Sequence, residues 1–391
     1  MPKGNDITGR TAARGYRIAL IIGLAAFCAV PGPLQVALDL REGRSVQALD
    51  VFRHAPTQEN LRLYEADLEK LSHVARWIRP RMQAFQWRLF GDAGEKGLAG
   101  KEGWFFYRPG VQYLVEPCPD LDEPLRAITA FRDALAERGI RLVVVPAPGK
   151  ASVYPERLSR RASGAVRPVH AHTERLVEAL QAAGVDVVDL FELCAEAKDE
   201  DTGEALYLAQ DTHWSPEGMR LAADAVARRL LDSGAVQHGS TVYDLRPAPI
   251  RRRGDVIGMM QAPGVERRIE PAEVLCTQVI RRDSGEPYAD DPRSEVLVLG
   301  DSFLRIYERD DPGSGGFVAH LARALSMPLA SIVNDGGAST LVRQQLSGKP
   351  ELLFGKKVVV WEFVERDIRF GTEGWQNVPL PSVAGDEGSR G

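Results

Sequence analysis

Five short runs rich in valine and leucine (141–145, 185–190, 295–299, 330–333 and 357–363) are separated by helix-length segments, and this alternation constrains the fold most. A strand with one wet face alternates apolar and polar residues, whereas these runs are apolar almost throughout, so both faces must be covered. The intervening segments carry helix punctuation. Leu121 to Arg138 stops at Gly139, and His170 to Ala183 stops at Gly184. Ser215-Pro216-Glu217 opens a helix toward Leu231, with a favoured cap, a proline in the first turn and an acid at the positive end of the dipole. The pattern predicts an α/β fold: a three-layer α/β/α sandwich around a mostly parallel sheet.

The chain has 391 residues, enough for one large domain or two ordinary ones. Its net charge of −5 argues against nucleic acid as a partner, and Arg251-Arg252-Arg253 reads as a solvated loop. Residues 1–17 form a basic tail, and residues 18–34 an apolar segment closed by Pro31-Gly32-Pro33. That segment reads as a signal anchor or a signal peptide, shorter than the roughly 20 residues that span a bilayer comfortably. As an anchor it holds the N-terminus in the cytoplasm and places the rest outside the inner membrane, in the periplasm. Residues 35–95 form a helical spacer, with one helix over 57–90, and a catalytic domain covers 96–370. Trp104 to Val115 suggests a hairpin turning at Pro109-Gly110, and residues 371–391 read as a disordered tail. Of Cys118, Cys194 and Cys276, spacing leaves the pairing open; Cys118 with Cys276 is favoured.

Two motifs carry chemistry. Gly300-Asp301-Ser302-Phe303 follows an apolar strand, so Gly300 allows a sharp turn and Ser302 stands near a helix N-terminus, with N–H groups available to an oxyanion. Asp211-Thr212-His213-Trp214 places a carboxylate and an imidazole two residues apart, on one side of an extended backbone. Asp211 can then orient His213 as the base for Ser302. Taken singly, the first motif is equally a helix cap and the second reads better as a surface loop; together they point to serine acyl transfer. Trp214 reads as a packing wall. His170-x-His172 lacks a zinc ligand set and reads as exposed histidines at a helix start. Gly313-Ser314-Gly315-Gly316 reads as a flexible loop. Neither a cofactor nor a metal is implied.

The two motifs, in this order, resemble the SGNH-hydrolase-like domain of the alginate O-acetyltransferase group, AlgJ and AlgX. Gly100-Lys-Glu-Gly-Trp104, Pro146-Ala-Pro-Gly-Lys150 with Tyr154-Pro155, and Val360-Trp-Glu-Phe363 with Arg366 are similar as well. The resemblance covers about residues 96 to 370, and without room for a C-terminal carbohydrate-binding module the layout is closer to AlgJ. It implies Ser302 as nucleophile, His213 as base and Asp211 as its orienting carboxylate. Asn334 becomes a candidate oxyanion donor, Lys150 and Tyr154 candidates for lining the site, and Arg366 a candidate for holding an anionic sugar, with a turn, packing or an ion pair as the alternative roles.

The implied activity is O-acetylation of an exported polysaccharide, the acetyl group arriving from a multi-pass membrane acyltransferase. An esterase or deacetylase with the same three residues, or a non-catalytic polysaccharide-binding subunit, is the alternative.

Overall fold

The computed structural model describes residues 29–43, 55–162, 168–199 and 204–381, with single positions at 21, 23, 25, 46 and 164. The basic tail and eight residues of the apolar segment 18–34 therefore lie outside the described residues, Cys28 among them. Among the described residues no helix is long and apolar enough to cross a membrane. The chain divides into two compact units, one of residues 1–89 with 261–264, the other of residues 90–260 and 265–391.

The smaller unit contains the helices Pro31–Arg41, Gln58–Leu71 and His73–Phe90. The single helix expected over 57–90 is thus two. Ser72 breaks it, because its hydroxyl accepts from Ala75 N at 3.1 Å and so caps the second helix. The same hydroxyl donates to Gln35 Oε1 at 3.0 Å, and Gln35 donates to Asp39 at 2.8 Å.

The larger unit is built on five parallel strands: β1 Arg141–Ala147, β2 Asp186–Val187, β3 Val296–Gly300, β4 Ala330–Val333 and β5 Val358–Val364, in the order β4-β3-β5-β1-β2. Along each strand successive side chains enter opposite layers. On one face Val143, Val145, Val296, Val298, Val358 and Val360 meet helices α3 (Pro216–Asp232) and α4 (Phe317–Leu325) through Met219, Val226, Phe317 and Leu321. On the other, Leu142, Val144, Leu297, Leu299, Val359 and Trp361 meet α1 (Asp122–Ala136), α2 (Ala171–Ala182) and α5 (Leu341–Ser347) through Ile128, Phe131, Leu176 and Val342. This is the three-layer sandwich that the continuous apolar runs predict, and both layers account for their lack of alternation.

Several expectations are corrected. Phe105–Tyr107 pairs backward with Gly97–Ala99, and Arg108–Val115 is a helix rather than the second arm of a hairpin. Pro109 suits a first helical turn as well as a β-turn, and burial of Tyr113 decides for the helix. Residues 371–381 are packed rather than disordered: Trp375 and Leu380 join the core, Trp375 Nε1 donates to Asp367 O at 3.0 Å, and only 382–391 lie outside the described residues. Cys118 and Cys276 are free thiols, as is Cys194. The glycines at 313–316 form an anchored turn, with Ser314 Oγ donating to Tyr288 O at 2.9 Å and Gly316 capping α4. Between α3 and β3 lies an insertion of two antiparallel pairs, Tyr243–Pro247 with Thr277–Arg281 and Ile250–Arg252 with Ala272–Val274. Arg252 is therefore in a strand, not a solvated loop.

Candidate functional site

In an open parallel sheet, ligands bind outside the carboxyl ends of the strands, where the loops converge. Ser302 stands there, directly after β3, and opens the short helical turn Ser302–Arg305. Asp301 Oδ1 caps that turn through Phe303 N at 2.8 Å, and Asp301 N donates to Glu362 Oε2 of β5 at 3.2 Å. With those two amides engaged, the N–H of Ser302 is the donor left at the elbow among the described residues.

Asp211 and His213 lie on a loop that leaves and re-enters the fold at the bridge between Tyr207 and Trp214. Lys150, the residue after the β1 turn, holds this loop from beneath. Its ammonium donates to Leu208 O at 2.6 Å, Ala209 O at 2.7 Å, Asp211 O at 3.0 Å and, on the neighbouring strand, Phe105 O at 2.6 Å. Burial pulls Lys150 down to about 7, while four carbonyls, which can only accept, favour the charged form. Trp104 and Phe106 lie 4.9 and 5.2 Å from the nitrogen and complete its surroundings.

The loop presents a continuous hydrogen-bonded line. Asp211 Oδ1 lies 2.6 Å from His213 Nδ1, and His213 Nε2 lies 2.8 Å from Ser302 Oγ. This spacing assigns the Nδ1 proton to the Asp211 side and leaves Nε2 to accept from the serine. Asp211 also accepts from His213 N at 3.1 Å and from Arg252 Nε at 2.8 Å. Burial alone would raise the Asp211 carboxyl, but the histidine and Arg252 hold it well below the usual carboxylate range. Arg252 in turn reaches Asp310 at 3.3 Å.

A second carboxylate, Asp255, approaches from the insertion. It accepts from Thr212 N at 2.7 Å and Thr212 Oγ1 at 2.6 Å, and one of its oxygens lies 3.5 Å from His213 Nδ1. Burial and the charge of Asp211 raise its pKa. Asp211, His213 and Asp255 have metal-ligand spacing. Yet a hydrogen-bond donor already faces each carboxylate oxygen that points inward, Arg252 on Asp211 and Thr212 on Asp255, so the donor set fits a proton relay better than a metal centre. Gly254, just before Asp255, permits this approach: a Cβ there would sit 1.9 Å from Gln210 O.

The remaining sequence candidates divide. Asn334, after β4, donates its N–H to Gly300 O at 3.0 Å, which sets it beside the elbow strand. Arg366, after β5, is half-buried over Tyr107 and Phe303, at 5.3 and 5.7 Å, with no carboxylate within ion-pair distance among the described residues. Phe303 itself meets the His213 ring at 5.1 Å. Tyr154 is not at the reacting groups: its hydroxyl accepts from Leu206 N at 2.9 Å, its ring meets Trp104 at 4.8 Å, and burial pushes it up to about 12. Lys150 likewise braces rather than lines. Trp214 is buried against Phe303 and Phe317. His170 stacks on Phe191 at 4.2 Å and His172 bonds Glu116 O at 3.1 Å, half-buried packing in both cases.

Beneath the elbow, Asp301, Glu362 and Asp367 are buried together, each with one carboxyl oxygen lacking a protein partner. Burial raises all three, and the charge of Asp301 adds to the effect for Glu362 and for Asp367, which reaches about 7.

A family model described as "SGNH hydrolase-like domain, acetyltransferase AlgX" matches residues 98–365. The probable alginate O-acetylase AlgJ of Azotobacter vinelandii is 25% identical over 288 residues, 72% of each chain. That of Pseudomonas aeruginosa is 25% identical over 331 residues, 79% of this chain and 80% of the relative. Among solved structures, the O-acetyltransferase domain of Pseudomonas putida AlgJ aligns with a TM-score of 0.55 at 23% identity, covering 69% of this chain and 91% of the domain. It is similar in fold.

Replacing Lys150 by methionine keeps length but removes the donor shared by four carbonyls, of which Ala209 O keeps Phe105 N at 2.8 Å and Leu208 O keeps Asp211 N at 3.4 Å. The expected loss is about 3 kcal/mol or more in chemical denaturation, with loss of the His213–Ser302 alignment. Asp367→Asn tests the buried cluster. The folded protein holds this proton to about pH 7, whereas an unfolded aspartic acid releases it near 3.9, so the folded state binds more protons in that window. Stability from this group therefore falls as pH rises, and the melting-temperature advantage of Asp367→Asn should grow from about pH 4 and level off above about pH 7.

Proposed function

Because the chain belongs to the family of SGNH hydrolase-like AlgX acetyltransferases, we propose that it transfers acetyl groups to hydroxyls of an alginate-like polysaccharide through an acyl-serine on Ser302. The observation that carries this reading is the line from Asp211 through His213 to Ser302, with contacts of 2.6 and 2.8 Å. The relatives named alginate O-acetylases supply the acyl group and the polysaccharide class.

In the first half-reaction His213 Nε2 takes the proton of Ser302 as Oγ bonds to the acetyl carbonyl carbon. The tetrahedral oxyanion would be met by Ser302 N–H and the side chain of Asn334. The carbonyl reforms, the donor's leaving group departs with the proton from His213, and Ser302 is acetylated. A sugar hydroxyl then gives its proton to the same nitrogen, attacks the ester and expels Ser302, which recovers its proton. Arg366, a cation beside Phe303 and Tyr107 with no carboxylate within ion-pair distance among the described residues, would hold the carboxylate of a uronate residue. The acetyl donor would be a multi-pass membrane acyltransferase, reached through an inner-membrane anchor at residues 18–34.

Incubation with an activated acetyl ester, with and without uronate oligosaccharide, separates transfer from hydrolysis: acetylated sugar supports the proposal, and free acetate insensitive to sugar favours an esterase. Ser302→Ala should lower acetyl transfer by about 10³-fold or more; an unchanged rate would remove Ser302 as nucleophile. Arg366→Ala should raise KM for the uronate acceptor by about 10- to 100-fold while hydrolysis of the small ester changes little. Equal KM values in the two proteins would assign the carboxylate contact elsewhere.

A further inference from the structure

We propose that Asp255 is a positioning residue of the base: with Thr212 as its link, it forms a second carboxylate arm on His213, so that the imidazole is gripped by two acids rather than one. The proposal rests on the reading of His213 as the base and names a residue that neither motif contains.

Three acceptors surround the same Nδ1–H: Asp211 Oδ1 at 2.6 Å, Thr212 Oγ1 at 3.1 Å and Asp255 Oδ2 at 3.5 Å. The Thr212 hydroxyl has one proton, and its shortest contact, 2.6 Å, is to Asp255 Oδ2. Donating there turns a lone pair of Thr212 Oγ1 toward Nδ1–H, so Asp255 decides the orientation of the hydroxyl that touches the ring. The other Asp255 oxygen takes Thr212 N at 2.7 Å, and Asp255 N itself donates to Asp211 Oδ2 at 3.3 Å. The two acids are thus tied to each other as well as to the histidine.

Charge gives the arrangement its direction. Arg252 neutralises Asp211 through the oxygen that His213 does not use, at 2.8 Å, and shares its other side with Asp310. Among the described residues Asp255 has no cation within ion-pair distance: its carboxyl contacts are Thr212 and the ring, and the Lys150 ammonium feels its charge only at longer range. When His213 carries the serine proton, the imidazolium then faces the Asp255 carboxyl as well as the Arg252-paired Asp211. The other groups around the ring are Ser302 and Phe303 on the elbow, Asp301 behind them, Arg366 across Phe303, and Lys150 beneath Asp211. None of these groups hydrogen-bonds to the Asp255 carboxyl among the described residues, so a substitution there removes its contacts to Thr212 and the ring.

The test is made on the full chain at rest, without substrate. The His213 Nδ1–H proton resonance is followed against pH, assigned by its disappearance in His213→Gln. Asp255→Asn retains the size and one acceptor oxygen but removes the charge. Its titration midpoint should fall by about half to one pH unit, and Asp255→Glu should restore it. Thr212→Val keeps the charge and cuts the link, and should move the midpoint the same way by less, so the idea stays testable if Asp255→Asn fails to fold. A purely structural brace would lower melting temperature without moving the midpoint. Unmoved midpoints in both variants, or upward movement, would overturn the proposal. Because no turnover is involved, this result stands apart from the outcome of Ser302→Ala.

Discussion

One buried ammonium organises the loop on which the site depends. Lys150 gathers three carbonyls of the segment 208–211 and one from Phe105, and without it those acceptors would lose the ammonium that draws them to one point. A charge inside a protein is costly, and burial does draw Lys150 down to about 7. The cost is offset by making the loop rigid: the carbonyl of Asp211 is held from below while its carboxylate is held by Arg252 from the side. What reaches His213 is an acid with little freedom to turn away.

The sheet supplies the second half of that precision. β3 lies between β4 and β5, so Ser302, Asn334 and Arg366 leave adjacent strands at the same edge. The elbow is fixed through its backbone, Asp301 N on Glu362 and Phe303 N on Asp301. Aromatic rings close the space between: Phe303 touches His213 on one side and Trp214 on another. Ser302 and His213 are therefore carried by different elements, yet they share one wall.

Much of this was legible in the chain because the signals are local. Continuous apolar runs mean covered strands, and a glycine before Asp-Ser at a strand end means a sharp turn, so the layers and the place of Ser302 followed. Asp211 and His213, two residues apart, needed only an extended backbone. Arg252 and Asp255 were not legible, since each reaches Asp211 or Thr212 from more than forty residues away, out of an insertion without clear periodicity. The string of three arginines looked like solvent-facing charge because nothing local says which one faces a buried acid. Lys150 was noticed, but a side chain that binds only backbone oxygens has no partner type to search for. The helix at 108–115 and the packed segment 371–381 were misread for a related reason: Tyr113, Trp375 and Leu380 find their neighbours in distant parts of the chain.

The close approach at Gly254 has a consequence for how such a domain can vary. Any side chain there would meet the backbone of Gln210 at 1.9 Å, so the insertion touches the histidine loop with no slack. Segments 206–214 and 250–255 therefore behave as one exchangeable block. A chimaera that borrows either segment alone from a relative would mismatch the two surfaces, while one that moves both would carry the Asp211, His213 and Asp255 arrangement with it. The insertion, which looks like decoration on a parallel sheet, is in this sense part of the site itself.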